Sequence, residues 1–210
     1  MSSCGGPLSR SRGAARLLLP LWLLLPQALT GCVQQAVLEN DVRSAEWQAR
    51  TLSTAADPSL AHAALSAQLV ELEALYQRDP HDARVATLLV RGYRLMAVGF
   101  VELRRLEAVA AGDSARAEQE QTLRADALSR ASYYRAHGAA KTADAPLGIE
   151  QRLEGPAAAC ARHDRAGYES QLTVLLSEAE QNPEQRLERA LTRKLAGAWL
   201  LPQVAARCQF

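Results

Sequence analysis

Glu102 stands in a helical file with Leu95, Val98, Leu106 and Val109 that is otherwise apolar. A carboxylate on such a strip needs a cation or a cavity to face, because an unpaired buried charge is costly. Arg105, three residues on, is the near partner, and Arg130 or Arg135 is the distant one. A structural ion pair, a ligand-lining role and an exposed position are the three uses open to it. Tyr93, Phe100 and Tyr134 form an aromatic trio that either floors an apolar groove or packs against a neighbouring helix. Tyr133 shares a face with Asp126, Arg130 and His137, a pattern of solvated or interface positions. The residues expected at a ligand or partner surface are therefore Tyr93, Phe100, Glu102, Arg130, Tyr133 and Arg135.

No arrangement that performs bond-making chemistry is visible. His62, His81, His137 and His163 are scattered, without HExxH, a nucleophile elbow or a phosphate-binding glycine loop. His81 and His163 fall in polar turns. Cys160-x-x-His163 supplies two ligands where a structural zinc needs four. No catalytic residue, metal or cofactor is expected.

The cysteines and the N-terminus speak to address. Arg10, Arg12 and Arg16 precede the apolar run LLLPLWLLLPQAL, Leu17 to Leu29, which Pro20 and Pro26 interrupt. About 20 apolar residues are needed to span a bilayer, so this shorter run has the pattern of an export signal. Leu29-Thr30-Gly31-Cys32 looks like a bacterial lipobox, whose cysteine carries the lipid and becomes the new N-terminus. An ordinary cysteine after an ordinary signal, or a retained anchor, are the alternatives. Two or three acyl chains anchor stably where one does not. Val33 occupies the position where aspartate favours inner-membrane retention, so the periplasmic face of the outer membrane is the expected location. Cys160 and Cys208 then remain in an oxidising compartment, either as a disulfide or as two thiols.

Residues 1–31 read as the signal, 32–56 as a lipidated tether with a first helix, and 57–210 as the main domain. About 180 of the 210 residues remain after the signal, enough for one core. The signal removes three arginines and no acid, so the remaining chain has two more acids than bases. That mixed balance argues against nucleic acid as a partner. Ala, Leu, Arg, Glu and Gln dominate, a helix-forming composition.

The elements follow from breaks and periodicity. Val33 to Ala56 holds Val37, Leu38, Val42, Ala45, Trp47 and Leu52, and reads as a tether that becomes one modest helix over about Glu39 to Leu52. Asp57-Pro58 starts the next, Ser59 to Gln77, with Leu60, Ala64, Leu65, Leu69, Leu72 and Leu75/Tyr76 inward. Asp79-Pro80 ends it, and a central helix runs from Ala83 to Ala110. Gly92 and Gly99, two turns apart on one face, suggest another backbone close by. Asp113 or Ser114 caps a helix from Ala115 to His137, with Leu123, Ala127, Ala131 and Tyr134 on one face. Lys141 to Gly167 is broken by Pro146, Gly148, Gly155 and Pro156 and is the least regular part. Helices over Tyr168 to Gln181 and Pro183 to Leu201 finish the chain. Breaks near Pro80, Ser114, Gly148 and Pro183 recur at about 34 residues, the period of tetratricopeptide-type helix pairs. The expected fold is all-α, a degenerate tetratricopeptide-like array of antiparallel helix pairs, whose curved surfaces suit extended partners.

The run LLVRGYRLMAVGFVE (Leu88 to Glu102), followed by SRASYYRAHGAA (Ser129 to Ala140), resembles the T-component lipoproteins of tripartite ATP-independent periplasmic (TRAP) transporters. That family pairs a "GY…A.GFVE"-like helix with a later "A..LY.RA…" helix, and the similarity extends from about Asp57 to about Leu147. The resemblance implies a repeat-like fold, a homotrimer with a central hollow, and docking of the transporter's periplasmic substrate-binding protein. It further implies a transport-accessory role that includes holding a small apolar or organic-acid ligand. The competing class is a tetratricopeptide-like envelope adaptor that binds another protein and no small molecule.

Overall fold

The structure, a computed structural model, describes residues 21–138, 146–179 and 182–210, with side chains from Gln34 onward. The arginines of the signal, the side chain of Cys32 and the first residues of the expected irregular stretch lie outside the described residues, as does Gln181, although the helix expected to reach it ends at Ser177. Packing divides the chain into residues 1–41 and residues 42–210.

All regular elements among the described residues are helical: α1 (Leu21–Ser53), α2 (Pro58–Arg78), α3 (Ala83–Leu95), α4 (Glu102–Ala110), α5 (Ser114–His137), α6 (Gly148–Ala161), α7 (Arg165–Ser177) and α8 (Arg186–Trp199). A short α9 (Pro202–Ala205) completes the set. The all-α class is thus what the structure has. A π-helical turn, Met96–Val101, joins α3 to α4 without a break, so Ala83 to Ala110 is one central rod.

Side-chain caps fix several of the helix starts. The Asp57 carboxylate accepts from Ser59 N with Pro58 in the first turn, and Asp82 accepts from Arg84 N and Val85 N. Asp113 accepts from Arg116 N and Asp164 from Gly167 N. Each satisfies a backbone donor that the helix itself leaves unpaired, worth about 1 kcal/mol.

Within residues 42–210, α2 lies along α3, and α5 along α3, α4 and the π turn. The last long helix, α8, returns to α4 and also meets α6 and α7. Leu89, Leu106, Leu172, Leu187, Leu191 and Leu195 are all but inaccessible to solvent. Each contributes about 1.5–3 kcal/mol relative to exposure.

Several expectations are corrected. The expected first helix begins much earlier, at Leu21, and passes through Cys32 to Ser53. The segment expected to be irregular contains α6. There Leu147 N donates to the Glu150 carboxylate at 2.9 Å, starting the helix at Gly148. Burial of Ile149, Pro156 and Ala159 outweighs the single hydrogen bond that Pro156 forfeits. Leu60 (69% exposed) and Ala64 face solvent instead of the core, and Trp47, Val37 and Leu123 are also exposed. On α2 the inner file is Ala61, Leu65, Gln68, Leu69, Leu72, Leu75 and Tyr76, with Gln68 Nε2 donating to the Ala45 carbonyl at 3.0 Å.

Gly92 and Gly99 do not share a face. A Cβ on Gly92 would come within 2.9 Å of Leu69 Cδ2 on α2, and one on Gly99 within 2.9 Å of Leu191 Cδ1 on α8. Leucine side chains, not backbone, make the close approach. The π turn that starts after Gly92 and contains Gly99 widens the coil, and each residue added to a helix rotates the remainder of that helix by about 100°. One rod thereby offers a bare strip to α2 and a different one to α8.

Candidate functional site

The polar centre of α2, α3 and α5 is Glu73, on α2. Tyr93 OH of α3 donates to Glu73 Oε1 at 2.5 Å, and Tyr134 OH of α5 donates to the same oxygen at 3.0 Å. Arg130 Nη1 donates to it at 2.9 Å and to Tyr93 OH at 3.1 Å. Arg130 also lies over the Tyr93 ring, 5.6 Å from its centroid, and pairs with Asp126 one turn back. The Tyr93 and Tyr134 rings stack at 6.0 Å, Tyr76 meets Tyr134 edge-on at 5.0 Å, and Tyr133 meets it at 5.3 Å. Tyr133 in turn stacks on His137 at 4.4 Å.

The electrostatics arise from this geometry. Burial acts to raise the Glu73 carboxyl, but the two tyrosine hydroxyls and the Arg130 charge outweigh it and hold it below the usual carboxylate value. Burial, reinforced by the Glu73 charge, pushes the Tyr93 phenol up to about 12 and raises Tyr134 as well. Because the native carboxyl value is depressed, its stabilising contribution is complete well above the unfolded value and disappears as pH falls through the native one. At neutral pH the cluster is one carboxylate, one guanidinium and two neutral phenols. It ties three helices together.

Of the sequence-predicted site residues, Tyr93, Arg130 and Tyr133 converge here; Phe100, Glu102 and Arg135 do not join the Glu73 hydrogen bonds. Phe100 meets His62 edge-on at 5.2 Å, turned away from Tyr93 by the π turn in which it lies. Arg135 is exposed on α5. Glu102 pairs with Arg105, whose Nη2 donates to Oε1 at 2.6 Å and whose Nε donates to Oε2 at 2.9 Å. Arg124, rather than Arg130 or Arg135, is its partner from α5, with Nε 3.3 Å from Oε2 but not aligned as a hydrogen bond. Glu102→Leu would strand two guanidinium groups at the α4–α5 junction. It is expected to cost about 1–3 kcal/mol in a urea melt without loss of helix content.

Sequence reasoning missed Glu73 although a signal was present. It lies four residues after Leu69 and three before Tyr76, both buried, the same arrangement that singled out Glu102.

A second cluster joins α2, α4 and α5. Arg104 Nε donates to both oxygens of the buried Glu120 at 3.0 Å, and Arg104 Nη1 donates to His62 Nε2 at 3.1 Å. A third joins α3 to α6, where Arg94 donates to both oxygens of Glu150.

A cleft of about 660 Å³ opens between the end of α1, α2, α3 and the starts of α6 and α8. Leu65, Leu72, Leu88, Leu95 and Leu187 line it, with Arg50, Arg91, Glu46 and Glu188 also on its wall. Its residues are distinct from the expected ligand surface. No group of three or more His, Cys, Asp or Glu side chains among the described residues is placed to hold a metal ion. No helix among them is long and apolar enough to cross a membrane.

Cys160 and Cys208 form a disulfide with Cα atoms 4.9 Å apart. It closes over Ala159, Tyr168, Leu172 and Ala196. Tyr168 OH donates to the Trp199 carbonyl at 2.6 Å, and the Tyr168 ring meets Phe210 at 5.2 Å. His163 Nδ1 lies 2.7 Å from the Cys208 carbonyl. Among protein families, curated proteins and solved structures, none matches this chain.

Proposed function

We propose that the chain is an exported lipoprotein, anchored through Cys32 on the periplasmic face of the outer membrane. In this reading it serves a TRAP-type transport system as a non-catalytic helical scaffold. The Cys160–Cys208 disulfide is the observation that carries the export half of this reading. Structural disulfides persist where the compartment is oxidising, and the residues ahead of Cys32 have the basic, apolar and small-residue order of an export signal. The transport half rests on the likeness of Leu88 to Glu102 and Ser129 to Ala140 to the T-component helices. These segments supply Tyr93, Arg130 and Tyr134 to the Glu73 cluster. The helix pairs are read as a degenerate tetratricopeptide-like array, and the partner is the transporter's periplasmic substrate-binding protein.

Two measurements test the two halves separately. Cys32→Ala should move the protein from the membrane fraction to the soluble periplasm, and unchanged membrane retention would defeat the lipid assignment. Capture of the tagged lipoprotein from envelope extracts should bring down a substrate-binding protein. Recovery of outer-membrane assembly or secretion components instead would favour the adaptor class.

A further inference from the structure

We infer that His62 is a proton-operated latch: it clasps α2 to the Arg104–Glu120 pair of α4 and α5 only while its ring is neutral, and acidification loosens that junction. Donor and acceptor roles fix the protonation state. A guanidinium only donates, so the 3.1 Å contact from Arg104 Nη1 requires His62 Nε2 to be an unprotonated acceptor. The ring proton is therefore on Nδ1. Adding a second proton replaces an acceptor with a donor and sets two cations against each other at hydrogen-bond distance.

The surroundings make that exchange consequential. His62 is half-buried on α2, with the Phe100 ring of the π turn edge-on against it at 5.2 Å. The charged groups facing it are Arg104 from α4 and Glu120 from α5; from its own helix, Ser66 Oγ donates to the His62 carbonyl. Glu120 is buried, and both its oxygens are occupied by Arg104 Nε. A protonated His62 would have to compete for that carboxylate from behind Arg104, or turn outward and abandon Phe100. Either move breaks the link from α2 to the Arg104–Glu120 pair.

Burial, then the Arg104 charge, depress the His62 titration below its ordinary 6.5, and Glu120 only partly opposes them. The unfolded chain therefore binds the proton first, and stability falls as pH drops below 6.5 toward the native value. Histidine is the side chain suited to sense this range. The other three histidines lack an arginine donor of this kind: His163 lies against a carbonyl, His137 against the Tyr133 carbonyl, and His81 is exposed in its turn.

The test compares the melting temperature of the purified protein with that of His62→Gln from about pH 7.5 down to about pH 5, the range over which a histidine titrates. Glutamine offers an oxygen that accepts from Arg104 and does not titrate. The wild type should lose about 2–4 °C more than the variant across that range, the shift expected for one such group in a chain of this size. Parallel curves would overturn the proposal. Should the variant not fold, proton NMR of the wild type decides instead. The His62 ring signal, identified by its contact with Phe100, should titrate below 6.5 and shift upward in Arg104→Gln. A signal titrating at or above 6.5, or one indifferent to Arg104, would equally overturn it.

Discussion

Replacing Cys160 and Cys208 together by serine is expected to lower stability by about 4 kcal/mol. That is the chain entropy a cross-link removes from the unfolded state when it closes a loop of about 50 residues. At this size the loss corresponds to roughly 8–16 °C in melting temperature. The effect should not stay local in its consequences. The bridge ties the end of the chain to α6, and between them lie Tyr168 and Leu172 of α7 and Ala196 of α8, all buried. Freed, residues after Pro202 would fray, and the Tyr168–Phe210 ring contact would go with them. Scanning calorimetry with and without a dithiol reductant gives the same comparison without mutation. A reduced protein melting within about 2 °C of the oxidised one would mean that the closed loop adds almost nothing.

Glu73→Ala is the second large effect, expected at about 3 kcal/mol or more. The substitution leaves the hydroxyls of Tyr93 and Tyr134, both on buried side chains, without their acceptor, and an unmet buried donor costs about 1–3 kcal/mol. Arg130, half exposed, turns to Asp126 and water and adds little. Glu73→Gln keeps one acceptor oxygen in place and removes the charge, so it should fall between wild type and alanine in a urea melt. The three substitutions Glu73→Ala, Tyr93→Phe and Tyr134→Phe share one oxygen and should not add. If alanine were no worse than glutamine, the carboxylate would not be holding the three helices.

The helices were legible because their punctuation is local. Asp57-Pro58, Asp79-Pro80, Asp113 and Asn182-Pro183 each combine a side-chain cap or a fixed proline φ with a change of periodicity, and the structure turns at each. What failed was information that lies in packing. Gly155-Pro156 reads as a break, yet a buried proline inside α6 is tolerated because α6 packs against α7 and α8. Seven-residue spacing places Tyr93 with Phe100 and Gly92 with Gly99 in an ordinary helix. The π turn at Met96–Val101 undoes both pairings, and no residue there announces it.

The candidate site was half legible for the same reason. Tyr93, Arg130 and Tyr133 stood out as aromatics and cations on recurring faces, whereas Glu73, although set between Leu69 and Tyr76, reads as one of two acids, with Glu71, near the end of its helix. Arg105 was legible as the partner of Glu102 three residues on, but which arginine of α5 meets it depended on the crossing of α4 and α5. Arg124 is brought there by tertiary geometry that spacing within one helix does not encode. Cys160 and Cys208 were the two cysteines left once Cys4 and Cys32 were set aside, so a disulfide was one of two readings, and the structure has it.

Intact mass spectrometry of the protein taken from the membrane fraction tests most directly the proposal that it is a lipid-held scaffold outside the cytoplasm. The account predicts a polypeptide that starts at Cys32, carries acyl chains on that residue and retains the Cys160–Cys208 bridge. A polypeptide that still begins at Met1, or one that starts elsewhere without lipid, would contradict it.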